Sequence, residues 1–224
     1  MDTLRFFNPY AEIRHTQNVI PHWQQQGAVY FVTFRLADSV PAHLRAQWEE
    51  ERAIWLRFHP KPWSSETEHE YHRRFSAEVE RWLDAGHGSC VLRRIDCATI
   101  VDKALQHFDG QRFALIASVV MPNHVHALFV QHPECLLEDL LRSWKTFTAR
   151  SINQLLRRSG NLWQRSYFDR LVRDEQHFAN CVRYIRRNPE KARLTAGQYI
   201  LSESNLAKQI DEQGTTASQP LAGK

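Results

Sequence analysis

Residues 119–130 read VVMPNHVHALFV, an apolar run broken by Pro122-Asn123 and then carrying two histidines one residue apart. The run predicts two strands, 112–120 and 124–131, joined through Met121-Pro122-Asn123 in a hairpin-like connection. Side chains alternate along a strand, so His124 and His126 share a face and Val125 points to the other. Two adjacent imidazoles can hold one divalent metal, and the same pair also suits the wet face of a hairpin. Upstream, residues 98–108 place Ile100, Val101, Ala104, Leu105 and Phe108 at helical spacing, and 28–36, AVYFVTFRL, alternates as a strand. The first 27 residues have no period and read as a loop.

Between these segments lie two helical stretches, 41–58 and 67–83, separated by His59-Pro60-Lys61-Pro62-Trp63 and closed by Asp84-Ala85-Gly86-His87-Gly88. Downstream, 136–156 reads as a long amphipathic helix with Leu137, Leu140, Leu141, Trp144, Phe147 and Ile152 inward. Residues 162–173, LWQRSYFDRLVR, alternate like a strand. Asp174 is an N-cap for a helix predicted to stop at Asn188-Pro189, because proline disfavours helical geometry at the residue before it. The order β, helices, ββ, α, β, α predicts an α+β fold: an antiparallel sheet with helices packed on one face, of the ferredoxin or RRM kind. One domain over 1–201, with a helical insertion at about 45–90 and a disordered tail over 202–224, accounts for the chain.

At 224 residues, 42% hydrophobic and 11% aromatic, the chain can bury a full core. No apolar run approaches the roughly 20 residues that span a bilayer, and MDTLRFFNPY lacks the pattern of a signal peptide, which points to the cytoplasm. Four scattered cysteines suggest neither a zinc ribbon nor a disulfide framework. Residues 141–194 carry 13 Lys and Arg against 4 Asp and Glu, whereas the whole chain nets only +4. Positive charge concentrated in one segment suits a polyanion, and equally a solvated helix face. Within it, Arg142, Lys145, Arg150, Arg165 and Arg170 are candidates for contacts to phosphates, and Trp163, Tyr167 and Trp23 for stacking on unpaired bases.

On the last predicted helix, Phe178, Cys181, Val182 and Ile185 define the buried stripe. Tyr184 and Asn188 then fall together on its flank, with His177 between them. Such a tyrosine is either edge packing or a nucleophile at the lip of a cleft, beside an amide that could join the two histidines on a metal.

Taken together, Met121-Pro122-Asn123-His124-Val125-His126 and Tyr184-Ile185-Arg186-Arg187-Asn188-Pro189-Glu190-Lys191-Ala192 resemble motifs of the single-tyrosine HUH transposases, and among these the REP-associated tyrosine transposases. The resemblance extends from about residue 22 to 194 and includes Tyr30-Phe31-Val32-Thr33-Phe34-Arg35, Lys145 with Phe147-Thr148-Ala149-Arg150, and Leu162-Trp163-Gln164-Arg165-Ser166-Tyr167-Phe168. Two departures are Pro-Glu-Lys-Ala-Arg, where the family often has Pro-Val-Lys-Ala-Gly, and the insertion.

The resemblance implies a metal-dependent single-stranded DNA endonuclease and strand transferase. Tyr184 would form a 5′-phosphotyrosine, and Mg²⁺ or Mn²⁺ would sit on His124, His126 and Asn188; an imidazole-rich set suits Mn²⁺ better than Mg²⁺. The implied substrate is single-stranded DNA hairpins of short palindromic repeats, with no membrane and no protein partner, acted on by a monomer or a homodimer. Two rival readings are a binding module for structured DNA or RNA in which the histidines are structural, and a phosphodiesterase that uses water.

Overall fold

The computed structural model describes residues 4–17, 21–60 and 63–211. Two short strands, β1 (Arg14–Gln17) and β2 (Pro21–Gln24), pair antiparallel where the sequence suggests a loop. After β3 (Val29–Arg35) come α1 (Ala42–Phe58), α2 (Ser65–Tyr71), a single π turn (His72–Ser76) and α3 (Ala77–Asp84). The remainder runs α4 (Ile95–Gln106), β4 (Phe113–Val120), β5 (His124–Gln131), α5 (Leu137–Leu155), β6 (Phe168–Leu171), α6 (Glu175–Lys191), β7 (Ile200–Glu203) and α7 (Asn205–Lys208). Among the described residues no helix is long and apolar enough to cross a membrane.

The architecture is α+β, built on a five-stranded antiparallel sheet ordered β6-β3-β5-β4-β7. Its first four strands, with α4 and α5, have the strand order of a ferredoxin-like unit, and β7 extends one edge. Alternation sorts side chains to the two faces. Tyr30, Val32 and Phe34 of β3 join Val125, Ala127 and Phe129 of β5 under Val101 and Leu105 of α4 and Leu140, Leu141 and Trp144 of α5. Val29 and Phe31, with Leu128, Val119 and Ile116, meet Phe178, Cys181, Val182 and Ile185 of α6. Helices therefore cover both faces, not one: α6 has an apolar stripe of its own, and the second sheet face needs a cover.

Three further segments differ from the sequence reading. The strand expected over 162–173 is confined to β6, with a single bridge from Trp163 to Leu36 before it. Helix α6 does not stop at Asn188 but carries Pro189 inside its last turn, where Pro189 is buried. The turn closes through N–H donation from Ala192 to Asn188 O at 3.0 Å and from Leu194 to Pro189 O at 2.8 Å, so the local cost of proline is offset by packing and by new backbone partners. The tail expected to be disordered from 202 is folded as far as 211. There β7 pairs with β4, the Ser204 hydroxyl caps α7 by accepting from Ala207 N at 3.3 Å, and Arg186 reaches Glu203 at 2.8 Å. Residues 212–224 lie outside the described residues.

The insertion has a small core of its own, Trp55, Tyr71 and Phe75, ringed by Trp48, Leu56 and Trp63. Its end is pinned to the end of β3 at Gly88. With φ +86°, Gly88 sits where an added Cβ would lie 2.4 Å from Asp38 O, and Ser89 N–H donates to Asp38 Oδ2 at 2.8 Å. The inserted helices are thereby held over the sheet face that carries the histidines.

Candidate active site

The register of β3 against β5 sets Thr33 opposite His126 and Arg35 opposite His124, all on the face covered by α6. Both histidines are buried, with exposures of 1% and 2%, so they do not lie on a wet face. Their ring centroids are 4.7 Å apart. The Asn123 amide donates to Leu83 O at 3.1 Å and His87 O at 3.3 Å, at the end of the insertion, which turns its Oδ1 toward His124. That oxygen accepts from His124 Nδ1–H at 2.8 Å, leaving the Nε2 lone pair for the site. Thr33 Oγ1 lies 2.7 Å from His126 Nδ1, and when Nδ1–H donates to it, His126 Nε2 is likewise an acceptor.

His126 Nε2 and Asn188 Oδ1 are both buried without a hydrogen-bond partner. Each such atom costs roughly 1–3 kcal/mol if left unsatisfied. Asn188 is 2% exposed and close enough to His124 to act on its charge. Burial lowers the His124 pKa to about 3 and that of His126 well below its ordinary value, so both rings are neutral, the form that ligates metals. Two imidazole nitrogens and one amide oxygen, two of these atoms otherwise orphaned, fit a divalent cation. Among the described residues no group of three His, Cys, Asp or Glu could hold one, so the third protein ligand would be the Asn188 amide.

Tyr184, one helical turn before Asn188, presents its ring edge-on to His126 with centroids 5.2 Å apart, and to Phe31 at 5.7 Å. Burial, and then the adjoining Glu80 carboxylate of α3, push its phenol pKa upward, while the Asn188 amide opposes them. Lys191 Nζ lies 5.9 Å from the Tyr184 ring and pairs with Asp84 at 3.0 Å and Glu80 at 3.6 Å, tying the insertion to α6. The four residues singled out from sequence are thus neighbours: His126 meets both His124 and the Tyr184 ring, and Asn188 lies against His124 and Tyr184.

The expected DNA contacts divide. Arg142 and Arg150 are exposed on α5, which packs on the opposite face of the sheet, and Arg142 pairs with Asp139 at 3.1 Å. Lys145 is committed to the fold: its Nζ donates to the carbonyls of Gln164 at 2.6 Å and Arg165 at 2.9 Å, and burial lowers its pKa to about 8. Trp163 is a correction. It is 7% exposed, packs edge-on to Phe34 at 4.8 Å and donates Nε1–H to Thr148 Oγ1 at 2.8 Å, so no face is open to a base. Arg165 is exposed, whereas Tyr167 and Arg170 line a cavity that opens on the site. The side chain of Trp23 lies outside the described residues.

That cavity, about 1100 Å³, lies between the insertion and the sheet and reaches His126 and Tyr184. On the other side of Tyr184 is a shallower, basic depression of about 450 Å³ lined by Arg183, Arg187 and Lys191. Sequence reasoning missed Thr33 and Arg35, although the alternation of β3 marks them, and missed Asn123, Glu80 and Lys191, whose roles need contacts across the fold.

Residues 94–188 match the family described as IS200-like transposases. This segment contains His124, His126, Tyr184 and Asn188. Among solved structures, the chain aligns with one described as the REP-associated tyrosine transposase bound to a REP hairpin, at 16% identity and a TM-score of 0.42, over 76% of this chain and 71% of that chain. No curated protein matches it significantly in sequence. Over residues 94–188 the chain is thus similar to the IS200-like transposases.

Proposed function

We propose that this chain nicks and rejoins single-stranded DNA through Tyr184, with a divalent metal held by His124, His126 and Asn188. The observation that carries the proposal is the convergence of a tyrosine hydroxyl with two neutral, oriented imidazoles and an orphaned amide oxygen in one buried site. The finer assignment, to REP-associated enzymes acting at hairpins of palindromic repeats, rests on the order of motifs quoted above. A cytoplasmic location belongs to the same reading.

The Tyr184 oxygen attacks phosphorus, the bond to the 3′ oxygen breaks, and a 5′-phosphotyrosine and a 3′-hydroxyl result. The phenol must lose its proton as it attacks, and the Glu80 carboxylate beside it can accept one. Bound metal would polarise the phosphate and stabilise developing charge. Asn123 holds His124 with its Nε2 lone pair inward, and Thr33 does the same for His126 when it accepts from Nδ1–H, which would preorganise the ligand set. A later strand's 3′-hydroxyl reverses the step, and the phosphotyrosine conserves the bond energy. Arg183, Arg187 and Lys191 flank Tyr184 on the side where the DNA backbone would approach.

The test is incubation with end-labelled hairpin oligonucleotides and Mn²⁺, followed by a denaturing gel. A labelled species at protein mass that requires metal and vanishes in Tyr184→Phe is expected. Cleavage without such a species would establish a hydrolase, and binding without cleavage a binding module.

A further inference from the structure

The cavity between the insertion and the sheet is larger than a metal and a phosphate require. Its wall includes Trp48 and Arg52 of α1 and Phe31, Arg35 and Phe168 of the body, and it ends at Tyr184 and His126. At about 1100 Å³ it has the size of a ligand pocket.

Two features of the lining point to a nucleotide. The first is a fixed aromatic platform. Trp48 Nε1–H donates to Phe75 O at 3.2 Å, its ring stands edge-on to Phe75 at 6.2 Å, and the Arg52 guanidinium lies 5.5 Å from it. Arg52 is itself held by the Tyr71 hydroxyl at 2.6 Å. The second is a cation with no close ion pair among the described residues. Arg35 projects from the face that carries His124, its Nε donates to the neutral Gln164 amide, and among the described residues no carboxylate lies within 4 Å of it. Glu49, on the same cavity wall, acts on Arg35 only at longer range and is 3.9 Å from Arg45. Burial and the nearby Arg45 lower the Arg35 pKa to about 10, so it stays charged, and a desolvated guanidinium calls for an anionic partner.

We propose that this chamber binds one unpaired deoxynucleotide next to the attacked phosphate, its base against Trp48 and a phosphate oxygen on Arg35. The proposal rests on Tyr184 as the nucleophile, because it uses the path from the chamber to that hydroxyl. The inserted helices then form one wall of the substrate site: the backbone crosses the basic flank of α6 while one base turns inward. Stacking on a fixed ring tolerates different bases.

The experiment measures binding of a single-stranded oligonucleotide built on inverted repeats beside the chain's own gene, in a Tyr184→Phe background so that nothing is cleaved. Each base is replaced in turn by an abasic site. One position near the scissile phosphate is expected to weaken binding about 5- to 150-fold, the worth of one stacked base. Trp48→Ala should cost a similar factor and make the chain indifferent to the abasic site there, while Trp48→Phe, which keeps a stacking face, restores most of the loss. Arg35→Gln should lower the slope of log affinity against log salt by about 0.7, one phosphate contact to a single strand. A purely structural role would leave the abasic profile and the salt slope unchanged in these variants, and that result overturns the proposal. If the wild-type chain forms the covalent adduct while no abasic position couples to Trp48, the chamber assignment fails and Tyr184 stands. If coupling appears and no adduct ever forms, the chamber stands and Tyr184 fails.

Discussion

Lowering the pH from 7.5 to 5.5 in the presence of a chelator should destabilise the wild-type fold through two residues above all. His124 and His126 are buried as neutral rings, His124 with a pKa near 3 and His126 also far below its ordinary value. In the unfolded chain both titrate near 6.5. Above 6.5 neither state binds the proton and the pair has no effect on stability. As the pH falls below 6.5 the unfolded state takes up protons that the folded state refuses, so stability drops until the folded pKa is reached. At pH 5.5 each imidazole favours the unfolded chain by about 1.4 kcal/mol, and the two together lower stability by about 2.7 kcal/mol relative to pH 7.5. Urea unfolding followed by tryptophan fluorescence at both pH values measures this, and His124→Asn/His126→Asn removes it. The wild type should lose about 2.7 kcal/mol more than the double variant over that interval. Equal losses within about 0.5 kcal/mol would refute the argument, since uncertainties of that size are usual in such comparisons.

Gly88→Ala should cost clearly more than Gly86→Ala in thermal or urea unfolding. Both glycines have positive φ, a cost of roughly 1–2 kcal/mol for alanine, but only at Gly88 would the new Cβ strike backbone, at Asp38 O 2.4 Å away. Asn123→Ala frees the tautomer of His124 and should weaken Mn²⁺ binding, read by calorimetry, about 10- to 100-fold; unchanged affinity would remove Asn123 from the site. Trp163→Ala should lower stability by about 3–5 kcal/mol while the folded fraction binds single-stranded DNA as the wild type does; weaker DNA binding at unchanged stability would return Trp163 to the interface. Mn²⁺ at about 100 times its dissociation constant should raise stability by about 2.7 kcal/mol, an effect abolished in His126→Ala.

Local periodicity carried the reading where one physical cause dominated. The alternation of residues 28–36 and 124–131 located β3 and β5, and put His124 and His126 on one face because a strand allows nothing else. Helical spacing likewise put Tyr184 and Asn188 on the flank of α6, beside the buried stripe that now faces the sheet. Periodicity says which side of a helix is buried, but not which face of the sheet receives it. The basic residues of α5 were therefore grouped with the site although they lie across the sheet from it. The proline rule failed at Pro189 because burial of Asn188 and Pro189 outweighs a local preference. Residues 202–208 look too polar to fold, yet the free edge of β4 supplies backbone partners that composition does not reveal. The grip of Asn123 on Leu83 and His87 spans 40 and 36 residues, and no local signal marks it.

The most direct measurement is mass spectrometry of the protease-digested covalent adduct formed with a hairpin oligonucleotide and Mn²⁺. The site described here predicts that the peptide containing Tyr184 carries the DNA through a 5′-phosphate, and that the released strand ends in a 3′-hydroxyl. DNA attached to any other residue, or a 5′-phosphate product formed by an enzyme that never carries DNA, would contradict it.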